Sequence, residues 1–217
     1  MKQALKRLAL PAGLRPRTLP FGIAQGIRMD VDFATETRLY LGMYEVELNR
    51  HLRRICQPGT TTFDVGGQYG YDGLVFAKLT EARVVSFECD ASSFERLTRT
   101  VKLNPRLAPL VEPVQAMVGT GRDGTVSIDE YTARKFTPGF IKVDVEGAEL
   151  DVLRGARGTL ANRHPALIVE VHSASLEQHC GRLLVEHGYR PRIVNQRSFL
   201  SDHRPTDQVN RWLVADG

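Results

Sequence analysis

The stretch FDVGGQYG at residues 63–70 decides the fold class of this 217-residue chain. It follows an apolar, β-branched run that starts at Thr61, and it precedes a segment with helical character, which indicates a glycine-rich turn between a strand and a helix. In parallel α/β folds, the first such turn is where nucleotide-like ligands bind. Gly66, Gly67 and Gly70 allow a ligand to approach the backbone closely.

Two acids near this turn indicate the kind of ligand. The spacing is Asp-x-Gly-x-x-x-Gly rather than the Gly-x-Gly-x-x-Gly of dinucleotide sites, and Asp64 would repel a pyrophosphate but suits a cationic amino group. Glu88 lies roughly twenty residues beyond the turn, where an acid can accept hydrogen bonds from both ribose hydroxyls. Together they predict binding of S-adenosylmethionine (SAM). Ala116 and Met117 end the third predicted strand and either face the adenine or belong to the core.

Strand-like and helix-like runs alternate from Thr60 onward, the pattern of parallel βαβ units. The predicted strands are Thr61–Val65, Arg83–Phe87, Leu110–Val118, Gly139–Asp144, Ala166–Val171, Arg190–Val194 and Val209–Val214. This pattern predicts an α/β fold with a doubly wound, mostly parallel sheet of about seven strands and helices on both faces. Residues 1–58 are expected to form an N-terminal helical arm or lid, and residues 59–217 the SAM-binding domain.

Two helices are predicted from apolar residues at helical spacing. The first covers Thr35–Ile55 and is ended by Pro58. The second follows Glu146 and places Leu150, Leu153, Ala156 and Leu160 on one face. The basic N-terminal segment of the chain lacks the apolar stretch of an export signal, so we interpret it as a basic helix or arm.

Composition excludes several classes of protein. The chain has 29 basic and 25 acidic residues, a net charge of +4, and 42% hydrophobic residues, which is the balance of an ordinary globular domain. No apolar run approaches the ~20 residues of a membrane span, and the mild basic excess gives no argument for nucleic-acid binding. The three cysteines show no CxxC spacing, which favours neither disulfides nor zinc and fits a cytoplasmic location.

The motifs FDVGGQYG, VVSFE, SIDEY, FIKVDVEGAELDVLRGA and PALIVEVH occur in this order between Leu39 and His187. Through them the sequence resembles the FkbM-type family of SAM-dependent methyltransferases. The most specific piece is KVDVEGAE at residues 142–149, which no general dinucleotide fold requires. The resemblance implies a class I Rossmann-like methyltransferase fold and methyl transfer to a hydroxyl oxygen. The SAM-binding positions that it implies are Asp64, Gly66, Gly70 and Glu88.

The sequence departs from the family pattern at three places. Gly67-Gln68 replaces the usual Ala-Asn pair, and Cys89 replaces a proline after Glu88. The connection at residues 119–125 is unusually short. Because such connections shape the acceptor pocket, the identity of the acceptor stays open.

Four residues at the ends of the fourth and fifth predicted strands can assist the transfer, because a general base accelerates reaction at a hydroxyl by ~10²–10⁴-fold. These candidate catalytic residues are Asp144, Glu146, Glu170 and His172. Each also has a structural alternative: Asp144 and Glu146 as turn and helix-cap residues, Glu170 and His172 as hydrogen-bonded side chains. Lys142 is expected to pair with Glu170 as part of the scaffold, and Asp72 and Asp90 are expected to be helix-start residues.

A divalent cation is an open alternative to a side-chain base. Asp129, Asp144, Glu146 and Glu170 can supply oxygen ligands. The same carboxylates suit a proton relay, so we assign no metal ligand from the sequence.

The sequence therefore predicts a SAM-dependent O-methyltransferase whose partner is a small-molecule hydroxyl acceptor, such as a sugar, a glycosylated compound or a polyketide-like product. The alternatives are an RNA ribose or amine methyltransferase and a SAM-binding scaffold without turnover. A nicotinamide-dependent oxidoreductase is disfavoured by Asp64 and by the glycine spacing.

Overall fold

A seven-stranded sheet forms the centre of the computed structural model, which describes residues 13–196 and 211–217. The strands are β1 Arg15–Thr18, β2 Arg28–Val31, β3 Thr62–Val65, β4 Val84–Glu88, β5 Val111–Gln115, β6 Phe140–Val143, β7 Ala166–Val171, β8 Arg192–Asn195 and β9 Arg211–Ala215. The α-helices are α1 Thr37–Tyr40, α2 Asn49–Ile55, α3 Tyr71–Thr80, α4 Ala91–Lys102, α5 Ile128–Arg134, α6 Glu149–Arg154, α7 Arg157–Arg163 and α8 Ala174–Glu186. Short 3-10 helices cover Val46–Leu48 and Ala108–Leu110.

The order of the large sheet is β5-β4-β3-β6-β7-β9-β8. β3 to β7 pair in parallel, whereas β9 runs antiparallel to both β7 and β8. Helices cover both faces of the sheet, so the central strands are buried on both sides, as in other parallel sheets. The predicted α/β class, with its mostly parallel sheet, is confirmed.

The register of the sheet places three polar side chains in one row. Asp64 on β3 is aligned with Ser86 on β4 and with Lys142 on β6. Because side chains alternate along a strand, these residues share one face, while Phe63 and Val65 join the core on the other face. The polar row lies on the face that the N-terminal segment and α3 cover.

The N-terminal part is not the helical arm that the sequence predicted. β1 and β2 form an antiparallel hairpin, and the expected helix over Thr35–Ile55 is broken into α1, a 3-10 turn and α2. Gly42 and Glu45 adopt positive φ values of 68° and 41°, which interrupt the helix. At Gly42 a Cβ would lie 2.8 Å from the carbonyl carbon of Phe21, so the chain can pass the hairpin this closely only with glycine. Residues 1–12 of the predicted basic arm lie outside the described residues.

The helix predicted after Glu146 is two helices, α6 and α7. Gly155 separates them, and a Cβ there would lie 1.9 Å from the carbonyl oxygen of Gly119. Leu153, Ala156 and Leu160 are still buried against the sheet as expected. In the described part of the chain no helix has the length and apolar character to cross a bilayer, and Cys56, Cys89 and Cys180 are free thiols.

Candidate functional site

Two adjoining cavities open at the carboxyl ends of the central strands. The chain winds outward in opposite directions from β3 and β6, which is where doubly wound sheets bind ligands. The first cavity has a volume of about 240 Å³ and the second about 600 Å³. They share a wall made of Gly66, Gln68, Tyr69, Asp144 and Glu146.

The first cavity, which we call the β4–β5 cavity, has mainly apolar walls with one carboxylate. Its lining includes the predicted residues Gly66, Glu88, Ala116 and Met117. Glu88 Oε2 accepts a hydrogen bond of 2.8 Å from the Gln68 amide, and Oε1 accepts one of 2.7 Å from the Asp90 amide. The carboxylate is therefore fixed at the cavity wall by backbone donors.

The glycine turn separates the two cavities and is packed too tightly for larger residues. At Gly66 (φ 92°) a Cβ would lie 1.8 Å from the Asp144 carbonyl oxygen. At Gly67 it would lie 2.1 Å from Ser86 Oγ. Gly70 precedes α3 with φ 81° and lines neither cavity. Gly66 and Gly67 thus border the cavities, whereas Gly70 shapes the turn.

Asp64 is not placed where the sequence predicted. It is 1% exposed and lines neither cavity, and its Oδ2 accepts a hydrogen bond of 2.7 Å from Ser86 Oγ. The period of two along β3 turns it beneath the glycine turn and the start of α3. Burial, and then the charge of Asp72, raise the pKa of Asp64 to about 7. Its carboxyl therefore supports the turn from behind rather than lining a cavity.

The second cavity, which we call the acidic cavity, is bounded by the N-terminal segment and by the ends of β6, β7 and β9. Behind the lining acids Asp72 and Glu45 lies Lys142, which is 2% exposed and lines neither cavity. Lys142 Nζ lies 2.5 Å from Asp72 Oδ2 and 3.0 Å from Glu45 Oε2. Burial lowers the pKa of Lys142, but Asp72 and Glu45 outweigh it and raise the pKa well above its usual value.

These contacts correct one prediction and add a contact to another. The carboxylates that reach Lys142 are Asp72 and Glu45, rather than the expected Glu170, whose Oε2 accepts a hydrogen bond of 3.0 Å from Trp212 Nε1. Asp72 does lie in the first turn of α3 as predicted, but it also lines the acidic cavity.

His172 lies at the centre of a group of carboxylates. Its Nδ1 lies 2.8 Å from Glu149 Oε1. Its Nε2 lies 3.6 Å from Asp144 Oδ1, 3.7 Å from Glu146 Oε2 and 3.8 Å from Glu170 Oε1. The four predicted catalytic residues are therefore brought together around one imidazole.

The charges of this group shift its proton equilibria. Burial lowers the pKa of His172, but the Glu149 hydrogen bond and the charges of Asp144 and Glu170 raise it to about 9. Burial, and then the charge of Asp144, raise the pKa of Glu170 to about 7. Burial also raises the pKa of Asp144. At neutral pH His172 is therefore protonated, and the groups able to accept a proton are the carboxylates.

Asp129 does not belong to this group. Its carboxylate accepts hydrogen bonds from the amides of Gly158 and Thr159 at the start of α7. The structure therefore removes Asp129 from the predicted set of metal-ligand candidates. Asp144, Glu170 and His172 each offer a ligand atom, all within 4.8 Å of one another.

Sequence reasoning missed four residues of the site. Glu45 and Trp212 lie far from any motif, and no local signal placed them in the cleft. Asp72 is predicted only as a helix-start residue, and Glu149 is not among the predicted site residues. A buried lysine needs carboxylate partners, so Lys142 was the signal that could have prompted a search beyond Glu170.

One family model and several solved structures are similar to this chain. A family model described as the methyltransferase FkbM domain matches residues 118–191, which excludes the glycine turn. No curated protein matches the chain.

Solved structures with the same fold include methyltransferase FkbM from Methylobacillus flagellatus, with a TM-score of 0.59 and 19% identity over 72% of this chain. The alignment covers 43% of that protein, so the chain spans less than half of its length.

Two further matches are structures in complex with SAM. Aeropyrum pernix fibrillarin has a TM-score of 0.54 and 14% identity over 74% of this chain and 68% of its own. M. jannaschii TYW2 has a TM-score of 0.55 and 12% identity over 95% of this chain and 86% of its own. At these identities the likeness shows the fold. The resemblance to FkbM-type methyltransferases is therefore confirmed: residues 118–191 match their domain, and the chain has the class I methyltransferase fold.

Proposed function

We propose that the protein is a SAM-dependent methyltransferase that transfers a methyl group to a hydroxyl oxygen of a small molecule. The observation that carries this proposal is the pair of adjoining cavities, one apolar with a fixed carboxylate and one acidic, joined at the glycine turn. A nucleoside fits the first environment, and a reacting hydroxyl needs the proton acceptors of the second.

The residues of the β4–β5 cavity suit SAM. Glu88 is held by two amides and retains lone pairs for ribose hydroxyls. Ala116 and Met117 supply apolar surface for the adenine, and Gly66 and Gly67 let the ligand approach the backbone. Asp64 supports this turn through Ser86, and Gly70 sets its direction. When bound, SAM supplies a methyl group on a sulfonium, so that an O–CH₃ bond forms as the S–CH₃ bond breaks.

The acidic cavity positions the acceptor and takes up its proton. Positioning is the larger contribution, because an in-line displacement depends on the alignment of the reacting atoms. The hydroxyl proton passes to Asp144 or Glu170, since burial raises the pKa of both carboxyls and that of Glu170 to about 7. Protonated His172 holds these carboxylates in place, and Glu146, whose side chain is 65% exposed, passes the proton to solvent.

We propose that the N-terminal segment up to residue 58 covers the acceptor side of the site. Residues 34–39, Met43, Tyr44, Glu45 and Glu47 line the acidic cavity. Glu45, Gln68 and Glu146, at three edges of the cleft, adopt left-handed backbone conformations.

An amine acceptor is the second candidate, because the excess of carboxylates in the acidic cavity favours a cationic group. RNA is disfavoured by the same acids, since they repel phosphates.

The test is turnover with methyl-labelled SAM. The protein is incubated with a library of hydroxyl and amine compounds, and the labelled product is identified by mass spectrometry. We expect an O-methylated small molecule and S-adenosylhomocysteine in equal amounts. An N-methylated product would replace the proposal by the second candidate, and SAM binding without any labelled product would support a scaffold instead.

A further inference from the structure

We propose that Asp144, Glu170 and His172 form a binding site for a divalent cation beside the acidic cavity, whose lining includes Asp144 and Glu170. The binding itself does not depend on methyl transfer, whereas the use of the cation there rests on the proposed function.

The first argument is the orientation of His172. Glu149 Oε1 holds Nδ1 at 2.8 Å, and Glu149 is fully buried. A second hydrogen bond of 2.9 Å from the Gly147 amide fixes the same Glu149 oxygen. A carboxylate behind one ring nitrogen is the usual way in which proteins orient a metal-binding histidine, since it presents the other nitrogen to the ion. Nε2 is thereby directed at the carboxylates of β6 and β7, and a cation that binds Nε2 releases the proton of this nitrogen to solvent.

The second argument is the spacing of these groups. Nε2 lies 3.6 Å from Asp144 and 3.8 Å from Glu170, which is too long for a hydrogen bond of normal length. Ligands on adjacent positions around a cation, at bonds of about 2.1–2.3 Å, are separated by about 3–4 Å. The three ligand atoms all lie within 4.8 Å of one another. The space between Nε2 and the two carboxylates therefore suits a bound cation better than a direct hydrogen-bonded ion pair.

The third argument is the carboxylate of Asp144. It is 9% exposed, and no hydrogen bond to it is found among residues 13–196 and 211–217. Among the described residues, Lys142 Nζ lies 3.8 Å from Asp144 Oδ2, but Lys142 is already engaged by Asp72 and Glu45. The carboxylate of Asp144 lines both cavities and is therefore available to a ligand there.

The fourth argument is the charge of the whole group. Asp144, Glu146, Glu149 and Glu170 surround His172, while Lys142 lies among two further acids. Among residues 13–196 and 211–217, the acids around Lys142 and His172 thus outnumber these two basic side chains. A divalent cation would reduce this excess of negative charge.

The ligand set defines the class of ion. Two carboxylates and one imidazole leave several coordination positions for water or substrate, and such mixed oxygen and nitrogen sets suit Mn²⁺ and related divalent ions. The site lies beside Gly66 and the shared wall of the cavities, so an acceptor hydroxyl could occupy an open position. A cation there lowers the pKa of that hydroxyl and neutralises the developing charge.

The experiment uses the full chain, freed of metal by a chelator and without SAM, and titrates it with Mn²⁺. The free-ion electron paramagnetic resonance signal measures binding. We expect one saturable site, with affinity reduced at least ~10-fold in Asp144→Asn and in His172→Asn, and about 10-fold in Glu149→Gln, which acts through His172. The control Asp151→Asn removes a half-exposed carboxylate on α6 and should leave binding unchanged.

The absence of saturable Mn²⁺ binding by the folded wild-type chain would overturn the proposal, as would equal affinities in Asp144→Asn, His172→Asn and the control. Thermal melts establish which variants are folded. If only one of Asp144→Asn and His172→Asn is folded, that variant alone tests the site. SAM binding is measured separately in the metal-free protein. A chain that binds SAM but not Mn²⁺ would therefore contradict the cation site and not the proposed methyl transfer.

Discussion

The two cavities differ in how the protein holds their carboxylates. In the β4–β5 cavity Glu88 already accepts two backbone hydrogen bonds, so its charge is stabilised before anything binds. In the acidic cavity the carboxylates crowd His172 at distances of 3.6 to 3.8 Å, and they depend on one another and on Lys142. The first region is a preformed surface, and the second is an electrostatically strained one that a positive charge would relieve.

Lys142→Met tests this contrast with the largest expected effect. The substitution leaves Asp72 and Glu45 buried without their cation, so we expect a loss of ~3–5 kcal/mol in the free energy of unfolding, measured with urea. The control Arg154→Met breaks an exposed ion pair with Asp151 and should cost about 0.5 kcal/mol or less. Similar losses for both variants would show that the Lys142 cluster is not the strained region described here.

Gly66→Ala tests the wall between the cavities. The new methyl group would meet the Asp144 carbonyl at a positive φ of 92°, so we expect a loss of about 3 kcal/mol together with weaker SAM binding. Gly59→Ala is the matched control, because Gly59 has φ 87° and nothing within 4 Å of a Cβ. It should cost ~1 kcal/mol. Equal costs at the two sites would mean that the turn is not tightly packed.

Asp64→Asn tests the support behind the turn through pH. The pKa of Asp64 is raised by burial to about 7 in the fold, against about 3.9 in an unfolded chain. The folded state therefore holds a proton that the unfolded state releases, and wild-type stability from this group falls as pH rises from about 4 to 7. The variant lacks this loss, so its stability relative to wild type should increase by about 3 kcal/mol between pH 4.5 and 7.5. Urea unfolding at both pH values measures the difference, and a pH-independent difference would contradict it.

Glu88→Gln is the mildest change and addresses the preformed cavity. It keeps the shape of the side chain but removes the charge and one acceptor, so we expect about tenfold weaker binding of S-adenosylhomocysteine by calorimetry. The control Glu112→Gln alters an acid on β5 that does not line either cavity. Unchanged affinity in Glu88→Gln would show that this acid does not contact the nucleoside.

Much of the fold was predictable because its signals are local. The apolar strands and the glycine turn are short, continuous patterns, and Ala166–Val171 was predicted with the bounds that β7 has. The hairpin β1–β2 was missed because it forms through packing of Leu19, Ile27 and Met29 against the core. The break at Gly155 was missed because it depends on the close approach of Gly119.

The site was predictable where one motif carried it, and not where the chain brings distant segments together. Asp144, Glu146, Glu170 and His172 follow adjacent strands, so their convergence was expected from topology. Glu45 contacts Lys142 although the two residues lie 97 positions apart in the sequence. No sequence pattern predicts that contact. The orientation of Asp64 depended on which face of β3 is covered by α3, and the motif alone does not specify this.

The most direct test of SAM binding in the β4–β5 cavity is calorimetric titration of the full chain with S-adenosylhomocysteine, followed by a crystal of the complex. We expect one binding site per chain, with the ribose hydroxyls on Glu88 and the adenine beside Ala116 and Met117. A folded protein that binds no S-adenosylhomocysteine, or a ligand seated outside the β4–β5 cavity, would contradict it.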